Sequence, residues 1–218
     1  SKKYPARDFL PKLTNTNLDL YEIKEDIPWN LSGGRNLGVH VARNNNVCYI
    51  DIDSILTKQH ITELVNINLN KKEIYQFPLY DYKFFDFRTN EYIYRYLPSP
   101  FFMRKQDFLE YPMDEDFCGH WGYENIHWLA VLRVYGFELK KLRTPITVTS
   151  KTNVDHGKLS KTDFSGPNRA WKKRAGGTNL SRDRSINTKV YNEKLRDLKT
   201  PEDILRFNYK LVYSTNKK

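Results

Sequence analysis

The sequence predicts an α/β protein, with helices packed around a mostly parallel sheet. Strand-like and helix-periodic segments alternate over the first two-thirds of the chain, the order expected when helices cover a sheet. The run Val47-Cys48-Tyr49-Ile50-Asp51-Ile52-Asp53-Ser54-Ile55-Leu56 is rich in β-branched and aromatic residues and reads as a buried strand that ends in two aspartates. With 218 residues, 39% of them hydrophobic, the chain is long and apolar enough for one large core. A single domain over 1–218 is expected, with the sheet core over 18–150 and a basic loop-and-helix extension over 151–218.

Residues 1–17 are polar, carry Pro5 and Pro11, and read as irregular. Leu18 to Ile23 alternates as a short strand. Gly33 to Arg43 reads as a helix with Ser32 as its cap, and its glycines permit close approach of a ligand to the backbone. Thr57 to Leu69 has helical spacing with Thr57 as cap. The aromatic-rich stretch 74–97, divided by Pro78 and Arg88-Thr89-Asn90, reads as strands and hairpins. Pro98-Ser99-Pro100 is expected to break the chain. A short helix from Arg104 to Tyr111 stops at Pro112. A longer helix from Glu124 to Tyr135, with Ile126, Leu129, Ala130 and Arg133 at helical spacing, is expected to stop at Gly136. Strands are expected at 137–142 and 146–149, a long loop at 150–180, and helices at 187–198 and from Thr200-Pro201 onward.

The net charge is +10, and all of the excess lies at the end of the chain. Residues 151–218 hold 17 Lys and Arg against 7 Asp and Glu, leaving 19 of each among the chain's first 150 residues. Such a region attracts a polyanion or a phosphate-bearing substrate, or is a solvated basic face. Cys48 and Cys118 form no C-x-x-C, so neither a disulfide framework nor a zinc site is indicated and a reducing, cytoplasmic compartment is expected. No apolar run reaches the length of a membrane span.

Asp51 and Asp53 lie two apart on a strand and so present two carboxylates to one face. They either cap the following turn and helix or hold a hard cation such as Mg²⁺ or Mn²⁺ against substrate phosphates. A glycine-flanked helix start bearing Arg35 suits a phosphate. Glu124 sits at a helix start, where the dipole favours a carboxylate. A metal pair, a helix-borne acid and a basic loop together suggest the handling of a nucleoside diphosphate.

Ser32-Gly33-Gly34-Arg35-Asn36-Leu37-Gly38 followed by Tyr49-Ile50-Asp51-Ile52-Asp53 resembles the helix and D-x-D strand of glycosyltransferase-A-fold enzymes. Trp121-Gly122-Tyr123-Glu124-Asn125 resembles the W-G-G-E-[DN] segment of the β-1,4-galactosyltransferases and polypeptide N-acetylgalactosaminyltransferases. The resemblance runs from about residue 18 to 156. It implies a Rossmann-like mixed sheet flanked by helices and a nucleotide-sugar donor, UDP-linked, with Mn²⁺ (or Mg²⁺) held by Asp51, Asp53 and His156. It also implies donor contacts from Arg35, Asn36, Lys158 and Arg174, with the loop 158–174 folding over the donor. Trp121 would shape the sugar and acceptor pocket, Glu124 would bond the sugar or acceptor, and Asn125 would complete the catalytic group.

The sequence departs from that pattern in three places. Tyr123 replaces the second glycine, Asn125 stands where the inverting enzymes carry a catalytic Asp, and no apolar first strand is present to seat the donor's base. An amide cannot act as a general base, so Glu124 or Asp116 would serve in an inverting mechanism. Asp26-Ile27-Pro28-Trp29-Asn30 ahead of the Gly-Arg-Asn helix resembles small bacteriophage glycosyltransferases, and the chain shows no stem, anchor or lectin module. That resemblance implies transfer to a hydroxymethylated pyrimidine of phage DNA in the host cytoplasm, with the basic residues 151–218 on the duplex. The alternatives are a glycan, lipid or protein hydroxyl as acceptor, or a non-catalytic nucleic-acid-binding module.

Overall fold

The computed structural model describes residues 17–27, 29–51, 54–86, 91–120, 122–148 and 185–215. Chain order gives β1 (Asp19–Ile23), α1 (Leu31–Val41), β2 (Asn46–Tyr49), β3 (Ser54–Ile55), α2 (Lys58–Val65), β4 (Glu73–Asp86), β5 (Glu91–Arg104) and α3 (Lys105–Glu110). A 3-10 turn (Glu115–Phe117), α4 (Glu124–Val134), β6 (Glu138–Lys141), β7 (Thr147–Val148), α5 (Ser185–Lys194) and β8 (Tyr209–Ser214) follow. The expected α/β architecture is present. Of the expected irregular stretch 1–17, residues 1–16 lie outside the described residues, as do Arg88-Thr89-Asn90 and the whole of the long loop 150–180.

The sheet is mixed rather than mostly parallel. Its order is β2-β5-β4-β6, and β4–β6 is its parallel pair. β4 and β5 are joined by only a few residues, and a connection that short can only make an antiparallel hairpin. The strand leading to the aspartates is an edge strand that pairs with β5 alone. Val47 is buried but Cys48 is exposed, so it is half-covered rather than a buried central strand. It ends at Tyr49, leaving Asp51 beyond the ladder.

Alternation along β4 and β5 builds a core on each face of the sheet. Ile74, Phe101 and Met103 pack with Val39 of α1, Phe108 of α3 and Trp128 and Leu132 of α4. Phe77 and Phe102 face the other way, onto Leu64 of α2, Leu142 and Ile146. Phe101, Phe108 and Trp128 form an aromatic knot, with centroids 4.8–5.9 Å apart, and the Trp128 indole donates to the Tyr111 carbonyl at 2.8 Å. The two-strand ribbons β1–β8 and β3–β7 lie apart from this sheet.

Several expected features change. The first helix begins at Leu31 with Asn30 at its cap position, so Ser32 falls inside the first turn, buried. α4 has the expected span but a different inner face, made by Glu124, His127, Trp128, Leu129, Val131 and Leu132, while Ile126 is 50% exposed. Glu124, Trp128, Val131 and Leu132 also have helical spacing, and burying the indole decides between the two stripes. Pro98-Ser99-Pro100 does not break β5. It falls between the paired residues Tyr96 and Phe101, opposite a register shift at Gln76/Pro78. Prolines cannot donate to a ladder, so they collect at such a bulge.

The helix expected from Thr200 is absent. The backbone N–H groups of Leu205 and Arg206 donate instead to the Glu115 carboxylate, at 2.9 and 3.0 Å, and Leu205 has φ +59°. The chain then enters β8, antiparallel to β1. The α2 cap is as expected: Thr57 precedes the helix and its N–H donates to His60 Nδ1 at 3.0 Å.

Glu73 and Lys140 tie β4 to β6, with Nζ 2.6 Å from Oε1. That bond and those from Asn70 hold the Glu73 carboxyl down at about 2, below its ordinary 4.5. Its contribution to stability is therefore complete above about pH 5 and is lost as pH falls from 4.5 towards 2. Urea midpoints measured across that window should fall for the native chain and fall less steeply for Glu73→Gln.

Candidate functional site

α1 turns Ser32, Arg35, Asn36 and Val39 inward, at positions i, i+3, i+4 and i+7. Arg35 is thereby carried into the protein and is 2% exposed. A buried guanidinium needs a counter-charge and acceptors for its donors. Nη2 lies 2.9 Å from Ser99 Oγ and 3.4 Å from Asp51 Oδ1. Nη1 donates to Asn125 Oδ1 and lies 3.7 Å from Met113 Sδ. The guanidinium carbon stands 4.0 Å from the centre of the Tyr49 ring, a cation–π contact.

Asp51 is held at both oxygens. Oδ1 accepts from Tyr49 Oη at 3.1 Å and from Arg35, and Oδ2 accepts from Ser99 Oγ at 3.1 Å. Burial pushes the Tyr49 phenol above its ordinary value, with Arg35 pulling the other way, so the phenol stays a donor. The Asp51 side chain is nevertheless 39% exposed, leaving one side open. Ser99 reaches both partners because the proline-flanked bulge takes it off the ladder.

Asn125 is the second residue of α4, and Glu124 the first. Glu124 is 5% exposed and its Oε2 has no partner. Ahead of it the loop takes positive φ at Gly119 (95°), Gly122 (110°) and Tyr123 (69°). Tyr123 thus occupies a backbone region that glycine adopts without strain, at the position where the resembling pattern has its second glycine.

Arg35 does not stand open to a ligand but cross-links α1, the end of β2, the β5 bulge and α4. Asn36, expected at the donor, is wholly buried and turned inward. Its amide donates to the Met113 carbonyl and Glu115 Oε1 and accepts from the Met113 N–H, at 2.8–3.0 Å. It ties α1 to the 113–115 turn. Asp53, Trp121, His156, Lys158 and Arg174 lie outside the described residues. Asp116, the other base considered, is held below its ordinary value by Lys194 and Arg206, which lie 2.6 and 2.7 Å away.

Buried polar atoms without partners are costly and uncommon. Here they include Asn30 Nδ2, Ser32 Oγ, Arg35 Nε, His120 Nδ1 and Glu124 Oε2, all on the segments 30–35 and 120–124. Hydrogen bonds from Arg35 to Asn125 and from Cys118 Sγ to Asn30 Oδ1, the latter at 2.9 Å, join the first segment to the residues that flank the second. A roomier cleft lies elsewhere. About 840 Å³ opens between β1 and α1, walled by Leu18, Tyr21, Ile23, Leu37 and the bare backbones of Gly34 and Gly38. Asp51 and Glu124 are not among its walls, so the site is defined by its charges and open hydrogen bonds rather than by volume.

Among the described residues no three His, Cys, Asp or Glu side chains gather as a metal group. Of the three proposed ligands Asp51 is the one among the described residues, and its carboxylate keeps one side open. A divalent ion there would take most of its ligands from diphosphate oxygens and water, which is how Mg²⁺ and Mn²⁺ sites are commonly completed. Comparison with family models, curated proteins and solved structures finds no match for the chain.

Ser99 was not legible as a site residue, although a Pro-Ser-Pro inside a strand run signals a bulge. Asn36→Ala would strand the Met113 backbone and part of the Glu115 carboxylate. It should cost about 3 kcal/mol, read as a lowered urea midpoint.

Proposed function

We propose that the chain is a metal-assisted glycosyltransferase that moves a sugar from a nucleotide donor, UDP-linked, to a hydroxyl acceptor. One observation carries this reading: Arg35 joins Asp51, at the end of the D-x-D strand, to Asn125 at the head of α4, beside the unpartnered Glu124. Two motifs some 70 residues apart in sequence, each resembling part of a sugar-transferase site, are thereby drawn to one buried cation.

In this reading the bond between the anomeric carbon and the diphosphate oxygen breaks, and its electron pair leaves on the diphosphate. The acceptor oxygen bonds to the anomeric carbon and gives up its proton, to the Glu124 carboxylate in an inverting transfer or to the departing diphosphate oxygen in a retaining one. A divalent cation at Asp51 would offset the charge growing on the departing diphosphate. Arg35, Ser99 and Tyr49 hold the Asp51 carboxylate in one orientation, a preorganisation that avoids rearrangement during the reaction. Glu124, with an open acceptor oxygen at a helix start, bonds a hydroxyl of the sugar or acceptor. Asn125 accepts from Arg35 and positions it, a role that needs no basicity. His156, Lys158, Arg174 and Trp121 keep their proposed roles at the metal, donor and sugar.

The proposed acceptor is a hydroxymethylated base in DNA, on the strength of charge. Residues 149–184 alone hold nine Lys and Arg against three Asp. Not all of the basic third is free for phosphates, because Lys194 and Arg206 are paired with Asp114, Glu115 and Asp116. A 5-hydroxymethyl group on a pyrimidine lies in the major groove, where a protein reaches it directly or after flipping the base.

Incubated with a panel of UDP-sugars, the protein should release UDP faster with Mn²⁺ than with a chelator. Asp51→Asn and Glu124→Gln, both nearly isosteric, should each lower turnover about 100-fold with unchanged circular dichroism. Native turnover in Asp51→Asn would remove that carboxylate from the chemistry. Fluorescence anisotropy with hydroxymethylcytosine duplex should show affinity falling steeply with salt; a flat salt response would count against the DNA acceptor.

A further inference from the structure

We propose that Asn187 is a positioning residue, which sets the loop leading into Glu124 through one face of α5. The catalytic part of this inference rests on the transferase reading above; the structural part does not. Asn187, Tyr191 and Lys194 stand at i, i+4 and i+7 and so share one face of the helix. Each grips a different part of the segment 114–123.

Asn187 is wholly buried, and its Nδ2 donates to the carbonyls of Phe117 (3.1 Å), His120 (2.9 Å) and Gly122 (2.9 Å). Three carbonyls around one group identify it as the nitrogen end of the amide, and its two N–H bonds are shared among them. Those carbonyls belong to a loop with left-handed residues at 119, 122 and 123. Tyr191 stacks on Tyr123 with centroids 4.8 Å apart and planes 22° from parallel, and Tyr123 is the cap residue immediately before Glu124. Lys194 bridges Asp114 and Asp116, at 2.6 Å from each.

The docking of α5 is not oily. Ile186 is 40% exposed, as is Leu195 (42%) just beyond the helix end, so directional hydrogen bonds, an aromatic stack and an ion pair fix the helix. Such contacts specify one geometry where an apolar face would tolerate sliding. Without the Asn187 amide the loop carbonyls lose their common donor, and the backbone that aims Glu124 into the site loses its anchor.

Hydrogen exchange and steady-state kinetics on the full chain test this. In Asn187→Ala, amides of 117–124 should exchange about tenfold faster, while amides of 74–77 and 101–104 exchange as in the native chain. Turnover per folded molecule, with the folded fraction read by circular dichroism, should fall about 100-fold with the donor KM within about twofold. Lys58→Ala, at an exposed position of α2, should change neither. Unchanged exchange over 117–124 would overturn the proposal, as would a loss spread evenly over the protein. Should Asn187→Ala fail to fold, Tyr191→Leu is read by the same two criteria. If no donor is turned over even by the native chain, the transferase reading fails, while the exchange result still decides the role of Asn187.

Discussion

The interaction on which the rest depends is the burial of the Arg35 guanidinium. An arginine cannot shed its charge, so placing one inside a protein obliges the surroundings to answer it. Asp51 supplies the opposite charge, Ser99 and Asn125 accept hydrogen bonds, and Tyr49 lends the face of its ring. These four residues come from the end of an edge strand, a bulge and the start of a helix. A lysine would not serve, because its point charge lacks the planar fork that reaches several elements at once. The cation thus fixes the relative placement of segments that share no ladder or helix, and it does so beside the carboxylate with an open oxygen.

A second electrostatic centre supports the first from below. The turn 114–116 gathers three carboxylates, which repel one another unless cations and N–H groups intervene. Glu115 receives the Asn36 amide from α1 and two backbone N–H groups from the C-terminal segment. Lys194 and Arg206 neutralise Asp114 and Asp116. Part of the positive charge that marks the end of the chain is therefore structural: it clamps the C-terminal segment onto the turn that leads to Glu124. Of the lysines and arginines that read in sequence as a uniform basic tract, Lys194 and Arg206 are already paired in three dimensions.

Local signals were read well and long-range ones poorly. α2 with its threonine cap, α3 and the span of α4 follow from spacing, caps and stop residues that lie within a few positions of one another. β8 did not announce itself, because a ribbon strand is defined by its partner, and β1 lies at the other end of the sequence. The edge position of β2 was hidden for the same reason: an apolar run looks alike with one neighbour or two. At the site, Arg35, Asp51, Glu124 and Asn125 were legible as charged or polar residues at the ends of recognisable elements. Ser99 and Asn187 were not, since each matters through partners dozens of residues away. Asn36 was misread because a polar residue on a glycine-flanked helix looks the same in sequence whether it faces a ligand or a neighbouring turn.

The distribution of satisfied and unsatisfied groups argues for treating 30–35 and 120–124 as one functional unit. Elsewhere in the described core Asn36 and Glu115 are bonded on every side, while Asp107 Oδ1, His127 Nε2 and Asn187 Oδ1 are single open atoms on separate elements. Along these two segments, amide, hydroxyl, imidazole and carboxylate atoms are shielded from water and left without protein partners. Folding gains nothing from that arrangement: each such atom lowers stability relative to a bonded or apolar replacement. Such a concentration beside a rigid cation-centred cross-link is reasonable where a hydroxyl-rich ligand completes the missing bonds. Stability is drawn instead from apolar packing such as the aromatic knot of Phe101, Phe108 and Trp128, so the open polar atoms are a cost that a bound hydroxyl-rich ligand would offset.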